Sequence, residues 1–144
     1  MMMKKLVALV MVLQMLSIPL VYAGSLRADH PLVGTWRIDI PSLSCYEIYR
    51  VHADGTTFVT SAEEVGESTF TISDLPSDKG FYKWVDKVTK DNGKKDCTGE
   101  VMQIGHEVTN YIIFNPSGDQ FLMCQAEDIK TCFGPFIRLQ DEDI

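Results

Sequence analysis

The sequence predicts an all-β protein: a single antiparallel up-and-down β-barrel of eight to nine strands, stapled by two disulfides. Three observations lead there. Apolar residues tend to alternate with a period of two, turn signals recur about every ten residues, and the chain carries four cysteines. Short connections force neighbouring strands to run antiparallel, and an up-and-down order of that many strands closes to remove its exposed edges.

The 144 residues are room for one domain. Residues 1–23 are expected to be a signal peptide. Lys4 and Lys5 form a basic start, residues 6–20 are almost wholly apolar, and Val21-Tyr22-Ala23 supplies small residues at a cleavage site after Ala23. The alternative, a membrane anchor, needs about 20 apolar residues, and no basic stop-transfer cluster follows. The expected location is therefore periplasmic or secreted, with no membrane insertion of the mature chain. Residues 24–33 read as a lead-in, 34–140 as the barrel domain and 141–144 as an acidic, frayed tail.

The formal charge is −7, and removing the two positive charges of Lys4 and Lys5 gives −9. An acidic surface keeps a protein soluble and repels polyanions, so nucleic acid and anionic lipid are excluded as expected partners. Cys45, Cys97, Cys124 and Cys132 allow three pairings; Cys45–Cys97 and Cys124–Cys132 are favoured. The second would join neighbouring strands across a short loop, and the first would close a long one. Zinc needs ligand pairs two to four residues apart, and a redox centre needs Cys-x-x-Cys; neither spacing occurs.

The strands follow in order. Residues 35–40 alternate, with Trp36, Ile38 and Ile40 on one face, and Pro41 ends them. Residues 45–51 lead into His52-Ala53-Asp54-Gly55, a hairpin signal. Residues 56–61 are rich in β-branched side chains, and a fourth strand is expected at 68–73. Residues 81–90 carry Phe81, Tyr82, Trp84, Val85 and Val88; Asn92-Gly93 then predicts a tight hairpin into a sixth strand at 96–104. Further strands are expected at 108–115, 120–125 and 132–139.

Gly34-Thr35-Trp36 at the start of the first strand, with Arg138 on the last, resembles lipocalins, fatty-acid-binding proteins and avidins, the calycin superfamily. The resemblance implies a lipocalin-like barrel in which Trp36 plugs one end and Arg138 packs over its ring, both as structural residues. It carries over architecture and no specific ligand. No C-terminal helix, helical lid or avidin-type tryptophan set accompanies it.

No constellation specifies a reaction. His30, His52 and His106 lack partners at metal-binding spacing, and His106 and Glu107, being adjacent on a strand, point to opposite faces. No Gly-x-Ser-x-Gly elbow occurs. Asp86, Asp91, Asp96 and Glu100, mixed with lysines around Asn92-Gly93, read as a solvated, salt-laced hairpin. No catalytic residue, cofactor or metal is expected, and the protein is not expected to be an enzyme. The expected ligand contacts are Tyr46, Ile48, Arg50, Tyr82 and Trp84. Arg50 beside Tyr46 and Ile48, if inward, suits a carboxylate-bearing apolar ligand; if outward, the three are surface. The expected function is an exported binding protein for a small apolar or amphiphilic molecule. The alternative is an envelope interaction or inhibitor protein that binds another protein through loops 74–80 and 126–131. A cavity of about 300 Å³ or more would favour the first, and a packed interior with an apolar surface patch the second.

Overall fold

The computed structural model describes residues 26–140. The expected signal peptide and acidic tail lie outside the described residues. Eight strands follow in chain order: β1 (Gly34–Ile40), β2 (Cys45–Val51), β3 (Thr56–Ser61), β4 (Glu64–Ile72), β5 (Tyr82–Asp91), β6 (Glu107–Phe114), β7 (Gln120–Cys124) and β8 (Cys132–Leu139). Each pairs with the next, and β8 returns to β1, so the sheet is a closed antiparallel barrel.

Alternation sets the faces. On β1, Trp36 and Ile38 are buried while Arg37 and Asp39 pair outside at 2.7 Å. Pro41 stops the strand as expected, in a short 3-10 turn (Pro41–Leu43). The His52–Gly55 turn joins β2 to β3, with Gly55 at φ +84° and the Asp54 carboxylate accepting from the Thr56 N–H at 3.0 Å.

Both favoured disulfides are present, Cys45–Cys97 across 52 residues and Cys124–Cys132 across 8. All four cysteines are paired, which belongs with an oxidising environment. Among the described residues no helix is long and apolar enough to cross a membrane.

Two strand expectations are corrected. No strand forms at 96–104: β5 ends at Asp91 and the chain stays irregular to β6. Asn92-Gly93 does turn the chain, with the Gly93 N–H donating to the Asp91 carboxylate at 2.7 Å, but into a loop. That loop is held by the Cys45–Cys97 bridge, by the Cys97 N–H donating to Ser61 Oγ at 2.9 Å, and by three donors on Asp96 Oδ1. Second, β4 begins at Glu64, four residues before the expected start. Its inward positions Glu64, Gly66 and Ser68 are buried yet not apolar, so hydrophobic alternation does not mark them.

The apolar core sits toward one end. Phe121 stacks on Phe136 with centroids 4.6 Å apart, and Trp36 meets the Phe121 ring edge-on at 4.7 Å. The Arg138 guanidinium lies 4.1 Å from the Trp36 ring centre, as the resemblance implies. Its donors reach the carbonyls of Pro31, Val33 and Gly118, tying the lead-in to the barrel rim. His30 completes the closure. Its Nε2–H donates to the Ser73 carbonyl at 3.1 Å while Nδ1 accepts from the Leu32 N–H at 3.1 Å, which requires the neutral ring.

Candidate functional site

The other end of the barrel is hollow. A cavity of about 180 Å³ lies among β2, β3, β4, β5 and β6. Cross-strand register builds it. Glu47 faces Ser61 and Tyr49 faces Val59 across β2 and β3; Thr57 faces Ser68 and Ser61 faces Glu64 across β3 and β4. Trp84 faces Asn110 across β5 and β6. A β-bulge opposite Glu67/Ser68 leaves Thr89 outside the cross-strand register, and so both Val88 and Asp91 turn toward the cavity. The loop after β5 folds against the same space, placing Asp96 and Met102 in its wall.

The wall is acidic. Glu47, Glu64, Glu67, Asp86, Asp91 and Asp96 line it, with no Lys, Arg or His in the wall; Glu67 alone of the six pairs with a cation, Lys90 at 3.1 Å. Internal hydrogen bonds satisfy some of these groups. Glu47 accepts from the Tyr49 hydroxyl and from Ser61 Oγ, both at 2.7 Å. Asp86 accepts from Ser68 Oγ at 2.7 Å, yet burial still holds its carboxyl above the usual range. Burial likewise pushes the Tyr49 hydroxyl up, helped by the Glu47 charge.

Glu64 and Asp91 crowd the same spot. A Cβ added to Gly66 would lie 3.3 Å from Asp91 Oδ2 and 3.6 Å from Glu64 Oε1, so glycine at 66 leaves both carboxyls their room. Glu64 is raised to about 8, chiefly by burial, then by the adjacent Asp91 carboxyl and its charge, with Asp96 and Glu47 adding. At neutral pH it is therefore protonated, and the buried Asp91 Oδ2 lies beside it without a hydrogen-bond partner.

Two further buried polar atoms in this wall, Thr57 Oγ1 and Trp84 Nε1, have no protein partner. Thr57 is 2% exposed and Trp84 3%. Leaving such a group unsatisfied costs about 1–3 kcal/mol.

Of the expected ligand contacts, Trp84 lies in this wall. Tyr82 faces inward but toward the plugged end, edge-on to His30 at 5.2 Å and to Phe114 at 5.7 Å. Tyr46, Ile48 and Arg50 lie on the outer face, because Tyr49 and Glu47 take the inward positions of β2. Tyr46 is 51% exposed beneath the Arg37 guanidinium, 4.0 Å from the ring centre, and Arg50 lies over Phe58. The inward Arg that suited a carboxylate ligand is thus not in the cavity.

The acidic residues around Asn92-Gly93 also differ from the solvated hairpin expected. Asp86, Asp91 and Asp96 line the cavity, and none of them joins an ion pair found among the described residues. Sequence reasoning missed Glu47, Thr57 and Glu64 altogether; the one available signal was a carboxylate recurring at inward strand positions. No group of three metal-ligating side chains converges among the described residues.

Fold and site together define a small disulfide-bonded β-barrel, sealed by a Trp–Arg pair at one end and hollow and acidic at the other. Comparison with protein-family models, with curated proteins and with solved structures finds no match.

Proposed function

We propose that the protein is a lipocalin-like binding protein, periplasmic or secreted, that holds a small, partly apolar molecule in the hollow half of its barrel and performs no chemistry on it. The observation that carries this reading is the pair of buried atoms, Thr57 Oγ1 and Trp84 Nε1, that line the cavity without a protein partner. A bound molecule that pairs them recovers the cost of their burial. Trp84, Val59 and Met123 give the same space an apolar side. At about 180 Å³ the cavity is smaller than the expected 300 Å³. It has the volume of about six waters at ~30 Å³ each, which suits a molecule of single-ring size. The Trp36–Arg138 pair supports kinship with the calycins, and the two disulfides support export.

Native mass spectrometry of the mature, oxidised chain tests the reading. A small molecule retained by the protein and absent from a Val59→Phe variant, in which the cavity is partly filled, is the expected result. An empty spectrum together with no uptake of an apolar fluorescent probe contradicts it. The rival reading, a contact with an envelope protein, draws on Leu75 and Ile129, which stand exposed on loops 74–80 and 126–131. That reading gains if the spectrum is empty and the protein is recovered bound to a single envelope component.

A further inference from the structure

We propose that the cavity is built for a small organic ammonium ion, a primary or secondary amine on an apolar body about the size of one aromatic ring. This rests on the ligand-holding reading above and adds the charge of the ligand.

Most carboxyls in the cavity wall lack a counter-charge. Six carboxyl groups from β2, β4, β5 and the following loop line one small space without a cationic side chain in its wall, and only Glu67 has an ion-pair partner, Lys90 at 3.1 Å. Burying a carboxylate without a partner is costly, and a protein that keeps several together needs something to offset them. Part of that offset is internal. Glu47 has Tyr49 and Ser61, and Asp96 accepts from the backbone N–H groups of Thr98 and Glu100 at 2.8 and 3.0 Å. Glu64, Asp91 and Asp86 are left with unfilled acceptor capacity toward the cavity, each oxygen having two lone pairs.

A second observation, independent of the acids, points to a ligand. Thr57 and Trp84 are almost wholly buried in the same wall, and their polar atoms lack partners. An ammonium beside the Glu64–Asp91 pair leaves its apolar body toward Trp84, Val59 and Met123, which line the same cavity. Thr57 Oγ1 is a further acceptor for an N–H, and the Trp84 N–H is free for a hydroxyl or ether oxygen on the ligand. The indole face attracts a cation as well. A divalent metal fits less well. Calcium takes six to eight oxygen ligands, and no three-ligand group converges among the described residues. An indole, a valine and a methionine offer such an ion nothing.

The Glu64–Asp91 pair gives the site a proton ledger. At neutral pH Glu64, whose pKa lies near 8, holds a proton. The groups facing Glu64 are Glu47 and Tyr49 from β2, Asp86 and Asp91 from β5 and Asp96 from the loop, all acidic. A bound ammonium reverses their effect and expels the proton, so binding releases about one proton at pH 7. Affinity then rises about tenfold per pH unit up to about 8 and levels above it, until the amine itself loses its proton.

Calorimetric titration of the mature, disulfide-bonded protein tests this with four probes: 2-phenylethylamine, 2-phenylethanol, 3-phenylpropionate and calcium chloride. The amine is expected to bind at least tenfold tighter than the alcohol, with no detectable binding of the carboxylate. Asp91→Asn is expected to weaken the amine about tenfold and leave the alcohol unchanged. If that variant does not fold, the wild-type ratio and its rise between pH 6 and 8 decide the matter. An alcohol that binds as tightly as the amine, or a preference for calcium, overturns the ammonium assignment and leaves the container reading standing. Failure of every probe, with an empty native spectrum, overturns both.

Discussion

Arg138 and Trp36 stand opposite each other where β8 meets β1, and the guanidinium covers the indole at 4.1 Å from the ring centre. Cross-strand partners share a face, so closure of the barrel itself brings the two together. The Trp36 Nε1–H donates to the Leu32 carbonyl at 2.8 Å, and Arg138 holds the carbonyls of Pro31 and Val33. The lead-in is thereby folded across one mouth of the barrel, and the free volume is left at the other.

Trp36→Ala is expected to cost about 3–5 kcal/mol, since a fully buried indole leaves a cavity in the stacked Phe121–Phe136 core. Arg138→Lys is expected to cost less, about 1–3 kcal/mol, because one ammonium cannot serve three carbonyls and cover the ring as a planar fork does. Chemical denaturation of both variants measures this. Equal stability of all three proteins would contradict the plug.

His30 gives the fold an acid-sensitive seal. Burial holds its imidazole below the ordinary value of 6.5, outweighing the Ser73 carbonyl and the Asp74 and Asp29 charges; Arg27 also lowers it. The unfolded chain takes up the proton more readily, so this contribution is complete above about pH 6.5 and is lost as pH falls below it. Melting temperatures measured from pH 7.5 to 5 should decline by an increment that a His30→Gln variant, less stable at pH 7, does not show. Parallel curves would contradict the role.

Glu64 acts in the opposite sense. Its folded pKa is near 8 and its ordinary value 4.5, so the native state keeps a proton that the unfolded chain has lost. Stability therefore falls between about pH 4.5 and 8 on account of this group. Glu64→Gln should leave stability at pH 5 nearly unchanged and raise it at pH 8.5 by roughly 1–2 kcal/mol, allowing for solvent screening at the cavity. Urea unfolding at the two pH values checks it, and a uniform loss at both would contradict the buried, protonated carboxyl.

The Cys45–Cys97 bridge closes a long loop and fixes the segment that carries Asp96 and Met102. Replacing both cysteines by serine should cost about 4 kcal/mol. Hydrogen exchange should then speed up first at residues 92–106. Unchanged protection there would mean that the Asp96 turn and the Cys97–Ser61 hydrogen bond hold the loop without the sulfur bridge.

The barrel could be read from the sequence because most of its inward positions are apolar: Trp36 and Ile38 on β1, Trp84 and Val88 on β5, Phe121 and Met123 on β7. The two disulfides and the Trp36–Arg138 pair followed from cysteine spacing and from a family resemblance. The site could not be read the same way, for a physical reason. Where the barrel is hollow, its inward residues include Glu47, Thr57, Glu64, Gly66 and Asp86, which look like surface residues in one dimension. The same polarity hid the first four residues of β4. It also made the outer face of β2, with Tyr46 and Ile48, resemble an inner one. In the loop after β5 the error ran the other way: Asn92-Gly93 predicted a hairpin into a strand at 96–104, yet Val101 and Ile104 there are exposed, and side-chain hydrogen bonds replace a ladder. The hairpin between β3 and β4 gave no turn signal either, because Ala62 takes the left-handed conformation at φ +52° where glycine or asparagine is usual.

The two indole N–H groups offer the most direct test of the account. That of Trp36 is bonded to a backbone carbonyl at the sealed end, and that of Trp84 is unpaired in the cavity wall. In a proton–nitrogen correlation spectrum of the mature protein titrated with 2-phenylethylamine, the Trp84 indole signal should shift progressively to saturation while the Trp36 signal stays in place. A Trp84 signal that does not move, or one that moves only together with Trp36, would contradict a ligand held in the acidic half of the barrel.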